Sequence, residues 1–304
     1  RCLYARASMA YGLGDALAMD RFGSEALAVS RGLGNHTLEV DCLNVLGLSA
    51  ELQGKYPRAE ALFSESIALT RTLKLERRTG RTLNNLGLTL LNRGDFRGAR
   101  AVLQEALALA RRIGDVSLIA SLCGNLGQLA SLENDLDQAV RSYSEGLALV
   151  REMGNRLGEA KFLRALGEVA VQRNDLAGAR KLFLASLSLS LEVGNQPEIC
   201  ICLQGITHLE ITTGHPERAA TILGAIEAAR EALGLRPSFV DLLSYEPHVE
   251  RLRALLPEPA FTLAWSQGRT MSLEEAVSYT LNNGLERVGA RRIMYSQEAA
   301  VGFP

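Results

Sequence analysis

The chain has 304 residues, 47% hydrophobic and 22% charged, and its 33 basic against 34 acidic residues leave a net charge of -1. This composition excludes a disordered polyelectrolyte, and with no cluster of Lys or Arg it argues against direct nucleic-acid binding. No apolar run approaches the roughly 20 residues needed to cross a bilayer, and the opening RCLYARASMA lacks the apolar core of a secretory signal, so no membrane contact and a cytoplasmic setting are expected.

In chain order, the first feature is a degraded copy of a unit that recurs every 40 residues, marked by Gly14, Glu25, Ala26, Leu27 and Gly34. Because the chain starts with Arg inside that copy, an excerpt from a longer protein is expected. The unit then becomes explicit as Leu46-Gly47, Leu86-Gly87, Leu126-Gly127 and Leu166-Gly167. A turn column follows at Gly54, Gly94, Asn134, Asn174 and Gly214, and an alanine column at Ala59, Ala99, Ala139, Ala179 and Ala219. Bulky residues recur at Phe63, Leu103, Tyr143, Phe183 and Leu223, and each copy closes on a glycine such as Gly114, Gly154, Gly194 or Gly234. Self-similarity at such a period is the mark of a stacked solenoid. Six copies are expected, beginning near residues 1, 41, 81, 121, 161 and 201.

Inside one copy the apolar residues recur at three and four, as Leu103, Ala106, Leu107 and Ala110 do, which predicts an amphipathic helix. Each copy holds two. In the copy from Leu83 to Asp115 the first helix is expected from about 82 to 92, ending at Gly94, where a left-handed residue can close it. Asp95 suits the next N-cap, and the second helix is expected to run to about Arg112 and stop at Gly114. The small columns at Gly87 and Ala99 mark where the two helices approach each other.

These columns resemble the tetratricopeptide repeat: Leu-Gly, then Gly-[Asp/Asn]-bulky-x-x-Ala, then a bulky and a small residue. The likeness covers roughly residues 1 to 234 and departs in two places. Leu43, Leu83, Cys123, Leu163 and Leu203 stand where an early Trp belongs, and Gly replaces Pro at the repeat end. The resemblance implies an all-α fold, a right-handed α-α superhelix of about six helix pairs over residues 1–235. Beyond Gly234 the period fails. Short helices broken at Pro247 and Pro257, with Ser272 and Glu275 as a capping box, are expected to form a C-terminal helical cap over 236–282, followed by a disordered tail over 283–304. The segments TILGAIEAAREALG and AWSQGRTMSLEEAVSYTL resemble the C-terminal end of LuxR-type and SARP/AfsR-type transcription regulators and related signalling ATPases. That likeness implies an interaction or sensor module of a bacterial signal-transduction regulator. A stand-alone scaffold that organises a complex is the alternative.

The sequence offers no catalytic or metal site and implies no cofactor. Gly54-Lys55 is followed by Tyr56 and is not a P-loop, and His36, His208, His215 and His248 lie outside any zinc-binding spacing. No G-x-S-x-G elbow occurs. Cys2, Cys42 and Cys202 share one phase of the period and read as small core residues rather than a disulfide frame. Trp265 reads as a core residue of an end helix, with a ligand anchor as the other reading. What remains is variation on the first helix of each pair, whose outer face lines the concave side of such a superhelix. There Asn44, Asn84, Asn85, Asn125, Arg164 and Gln204 flank the Leu-Gly columns, Gln128, Glu168 and His208 follow one turn later, and Arg81 and Lys161 precede them. Asn amides both donate and accept, so such a file can pair with the backbone of an extended peptide or protein partner. The other reading is a hydrated polar face. The carboxylate clamp of some peptide-binding relatives is matched only at Asn125 and Lys161, with Leu88 and Ala165 where Asn and a cation belong. Oligomeric state is left open.

Overall fold

The computed structural model describes residues 2–12, 14–234 and 239–284, with backbone alone for 239–246 and 283–284. Among the described residues there are 15 helices and no strand. Twelve form six successive pairs: α1 (Cys2–Gly12) with α2 (Ala16–Gly32), α3 (His36–Leu52) with α4 (Tyr56–Thr72), α5 (Glu76–Arg93) with α6 (Phe96–Ile113), α7 (Val116–Leu132) with α8 (Leu136–Glu152), α9 (Arg156–Gln172) with α10 (Leu176–Val193), and α11 (Gln196–Thr212) with α12 (Pro216–Ala232). Each pair packs on the next, giving an all-α superhelix.

The local code explains both ends of each helix. The residue closing nearly every turn has positive φ and is Gly, or Asn at 134 and 174, whose short amide tolerates that conformation. Asp15, Asn35, Asp95, Asp115, Asp135, Asn155, Asp175 and Asn195 each accept a backbone N–H three residues on, as N-caps do. Where the cap is absent, at Lys55 and His215, a proline in the first turn removes one N–H that would need it. The exception is the junction before α5. There Lys74 takes φ 55° without being Gly, and Leu75 has no capping side chain.

The first helix of that copy begins at Glu76, six residues before the position the apolar pattern indicates. The stretch Glu76–Arg81 is polar and shows no apolar stripe, yet Thr79, Gly80 and Thr82 are buried against neighbouring helices. Helices of 17 or 18 residues therefore fill nearly the whole period from α3 to α12, joined by turns of two or three residues.

The glycine column is a socket. A Cβ on Gly87 would lie 2.5 Å from Leu103 Cδ2, one on Gly127 would lie 2.6 Å from the Tyr143 ring, and one on Gly47 would lie 2.5 Å from the Phe63 ring. In the four pairs from α3/α4 to α9/α10 the bulky residue of the second helix thus seats directly over the glycine of the first. The alanines at 59, 99, 139, 179 and 219 have no exposed surface.

Beyond Gly234 come α13 (Phe239–Leu255), α14 (Glu258–Arg269) and α15 (Leu273–Gly284). Pro257 precedes α14 as expected, but Pro247 lies inside α13 and does not break it. The capping box forms, with Ser272 N–H donating to Glu275 Oε2 at 2.7 Å and Glu275 N–H to Ser272 Oγ at 3.1 Å. Backbones of α12 and α14 meet at Gly224 and Gly268, where a Cβ would strike the carbonyls of Trp265 and Thr221 respectively. Trp265 itself is half-buried against a cluster that includes Ile211, Ala219 and Leu223, with the Arg269 guanidinium 4.9 Å above its ring. Ala276 and Val277 of α15 complete the core around Ala225 and Ile226. Residues 285–304 of the expected tail lie outside the described residues.

Two variants test this account with opposite signs. Gly87→Val should cost about 1–3 kcal/mol through overpacking against Leu103. Lys74→Gly with Leu75→Asn should raise stability by about 1–2 kcal/mol, by relieving the left-handed Lys and adding a cap. Urea unfolding of both variants checks the two; a neutral Gly87→Val would remove the socket from the account.

Candidate functional site

The candidate residues lie on the first helices, and four of them bond in pairs, Asn125 with Asn84 and Arg164 with Glu168. Asn125 Nδ2 on α7 donates to Asn84 Oδ1 on α5 at 2.9 Å. Asn92 of α5 donates to Glu51 of α3 at 2.9 Å, and Ser131 of α7 to Gln172 of α9 at 3.2 Å. All three bonds join residues 41 apart, so each is a rung between neighbouring first helices. Asn44 is turned inward, its amide donating to the Val40 carbonyl at 2.9 Å and to Ser66 Oγ on α4 at 2.8 Å.

Arg164 is similarly engaged. Its Nε donates to Glu198 Oε1 on α11 at 2.8 Å and its Nη1 to Glu168 Oε1 at 2.5 Å. Burial opposes its charge, yet the two carboxylates outweigh that and raise its pKa. Gln204 requires a correction: it is buried, accepting from Arg230 Nη2 of α12 at 2.8 Å, and so is not on the open face. His208 keeps only partial exposure because α13 crosses α11 there, placing the His248 ring 4.9 Å from it.

What stays open lies over α5, α7 and α9. Asn85 and Gln128 are half-exposed, and Arg81 and Lys161 are exposed and form no ion pair among the described residues. Helix α7 carries no charged residue, and its face presents Ser117, Ser121, Asn125 and Gln128. Arg81, Asn84 and Asn85 meet Ser117, Leu118 and Ser121 across a shallow cleft of about 290 Å³. A larger crevice of about 770 Å³ lies elsewhere, between α4, α5 and α6, rimmed by the satisfied pairs Arg71–Glu105 and Arg112–Glu76. The smaller cleft is the candidate site, since Arg81 and the two amides have no charged partner among the described residues.

Chemically the face can donate and accept hydrogen bonds. Among the described residues no group of His, Cys, Asp and Glu is arranged to hold a metal ion. Burial pushes the thiols of Cys42 and Cys202 up to about 11 and about 12, which keeps them protonated at neutral pH. No described helix is long and apolar enough to cross a membrane.

Residues 2–184 match the MalT-like TPR region. The chain belongs to that family. No curated protein sequence matches it. Among solved structures, the TPR array is similar to apo RapI, with a TM-score of 0.60 and 14% identity, covering 83% of this chain and 82% of that one. A Rap protein complexed with Competence and Sporulation Factor gives a TM-score of 0.53 at 12% identity, covering 80% and 77%. BtubC (BKLC) from P. vanneervenii gives 0.53 at 17%, covering 77% and 87%. At these identities the likeness is one of fold.

Sequence reasoning did not find the charge ladder along the second helices, where Arg31, Arg71 and Arg111 pair with Glu65, Glu105 and Glu145, each 34 residues on. Its signal was in plain view as two further 40-residue columns. In the fourth member Ala185 replaces the carboxylate, and Arg151 keeps the bond to Glu159 at 2.8 Å that Arg31 also makes, to Glu39, in the same phase.

The His208–His248 contact generates a pH prediction. Burial first, then His208 and Arg251, pushes His248 down to about 4; burial and then Arg251 lower His208, against a weaker pull from Glu168. With folded pKa values below the unfolded value of about 6.5, the undocked state binds more protons, so α13 docking should weaken as pH falls from about 6.5 towards 4. Hydrogen exchange in α13 should accelerate across that window in the wild type and much less in His248→Phe.

Proposed function

We propose that this TPR array is a non-catalytic interaction module of a bacterial signal-transduction or transcriptional regulator, working in the cytoplasm. It binds an extended segment of a protein partner along the concave face of α5, α7 and α9. The observation that carries this reading is the uncharged strip of Ser117, Ser121, Asn125 and Gln128 on α7, flanked by the cations Arg81 and Lys161, which form no ion pair among the described residues. Hydroxyls and amides suit a peptide backbone, whose groups alternate donor and acceptor. The two cations favour a segment with acidic side chains and make binding sensitive to salt.

Three further features support it. The rung from Asn125 to Asn84 leaves each amide with unused hydrogen-bonding capacity while fixing its orientation, which lowers the entropy lost on binding. Helix α13 occupies the face over α11, so the open stretch ends near Glu168. The Rap neighbour solved with Competence and Sporulation Factor is a protein of this fold holding a partner.

Photo-crosslinkable residues at Ser121 and Lys161, with Ser144 on the exposed side of α8 as control, test the reading in cells. The expected result is a shared partner captured from 121 and 161 and not from 144. Arg81→Glu with Lys161→Glu should then weaken that partner's binding by about tenfold or more per lost charged contact, with melting unchanged. Equal capture from all three positions would move the interface off the concave face.

A further inference from the structure

The crevice of about 770 Å³ between α4, α5 and α6 lies where the repeat departs from its own code twice. At the turn that closes the second pair Lys74 takes φ 55°, whereas the same phase holds Gly34, Gly114, Gly154, Gly194 and Gly234, with φ from 63° to 69°. A lysine is strained in this conformation, and strain kept where glycine would relieve it points to a use for the side chain.

Five residues on, Thr79 stands in the column of Glu39 and Glu159. Glu39 Oε1 accepts from Arg31 Nε, and Glu159 Oε1 from Arg151 Nε, each at 2.8 Å. At the two other members of the column, Ile119 and Ile199 fill the place with apolar bulk packed into the core. Thr79 does neither: it is shorter, and its hydroxyl donates to the Leu75 carbonyl at 3.2 Å. Arg71, the counterpart of Arg31 and Arg151, therefore lines the crevice without the carboxylate that those two hold. Its Nη2 donates to Glu105 Oε1 at 2.5 Å, which fixes the guanidinium, and among the described residues its Nε makes no hydrogen bond. The Lys74 ammonium on the same rim forms no ion pair among the described residues.

We infer that this crevice binds a small-molecule monocarboxylate, whose carboxylate takes the place of the missing glutamate on Arg71 Nε and Lys74 and whose apolar body lies against Ala108 and Leu109. The array itself shows what an arginine at this phase accepts, since Arg31 and Arg151 each hold one carboxylate through Nε. Glu76 and Glu105 also line the crevice, so a phosphate dianion would meet like charge that a monoanion with an apolar body meets far less. The volume lies within the range of small-ligand pockets. None of these residues lines the cleft at Arg81, Asn84 and Asn85, so this site stands apart from the peptide-binding reading of the concave face.

Saturation-transfer NMR on the full chain, in a chloride buffer free of other carboxylates, tests the assignment with octanoate and 3-phenylpropanoate as probes and octanol and 3-phenylpropanol as uncharged controls. At least one acid should bind, and its alcohol about tenfold or more weaker. Lys74→Gly removes the ammonium and the strain together, so it should weaken the acid about tenfold or more while melting holds or rises. Thr79→Glu supplies from within the chain the carboxylate found at Glu39 and Glu159, and should abolish binding of the acid with melting within a few degrees of wild type. If that variant does not fold, the Lys74→Gly titration decides alone. Silence from both acids, alcohols that bind as well as their acids, or an affinity unchanged in Lys74→Gly or in folded Thr79→Glu would overturn the inference.

Discussion

The architecture depends on one steric fact: in the four pairs from α3/α4 to α9/α10 the first helix has a residue without a side chain where the second helix places a bulky one, while Ala7 and Thr207 stand in that phase in the first and last pairs. Phe63, Leu103, Tyr143 and Phe183 seat over Gly47, Gly87, Gly127 and Gly167, and the fully buried alanine column lets the helices close around that contact. Packing at crystal-like density leaves no slack for another arrangement. Once the seat sets how one pair closes, repeating it in phase sets the superhelix. The positions pointing away from the seat are then released from packing, and the face over α5, α7 and α9 is made of them.

Electrostatics adds register to this frame more than stability. The ladder Arg31–Glu65, Arg71–Glu105 and Arg111–Glu145 runs between successive second helices, and its members are about half exposed, a setting in which ion pairs contribute little. The buried groups differ. Glu198 between α9 and α11, and Glu210 held by Arg180 and Arg218, would be strongly destabilising if left alone. Both lie at the C-terminal end of the array, where α13 and α14 also pack. That end is closed by charge and by cap helices, while α7 carries no charge and Arg81 and Lys161 form no ion pair among the described residues.

Much of the fold is legible in the columns because each column records one contact repeated several times. The parts that are not legible are those whose local residues hide the contact or whose contact is made once. The start of α5 at Glu76 is hidden in its own copy because ERRTGR has no apolar stripe, although the first helices at His36, Val116, Arg156 and Gln196 begin in the same phase. The continuity of α13 through Pro247 is likewise hidden, since a proline read locally marks a helix end. On the candidate face, the freedom of Asn84, Asn85 and Asn125 is readable from phase, but the bond from Asn125 to Asn84 is not, since it joins residues 41 apart. Gln204 shares its phase with Asn84 and yet is buried, because only the last pair has Arg230 beneath it and a cap beyond. Phase identifies which way a residue points, and a non-repeating neighbour decides whether it meets solvent.

If the 40-residue period is the physical unit, a whole unit should be removable and a fraction of one should not. Deleting residues 116–155 joins Asp115 to Arg156, so the cap of α7 becomes the cap of α9 and every seat remains paired. Circular dichroism and thermal melting of this protein should show a cooperative transition at a somewhat lower temperature with helicity per residue unchanged, as nearest-neighbour stacking requires. A parallel deletion of residues 116–145 should lose the cooperative transition. Equal behaviour of the two deletions, whether both fold or neither does, would contradict the claim that the glycine seat and its period hold this molecule together.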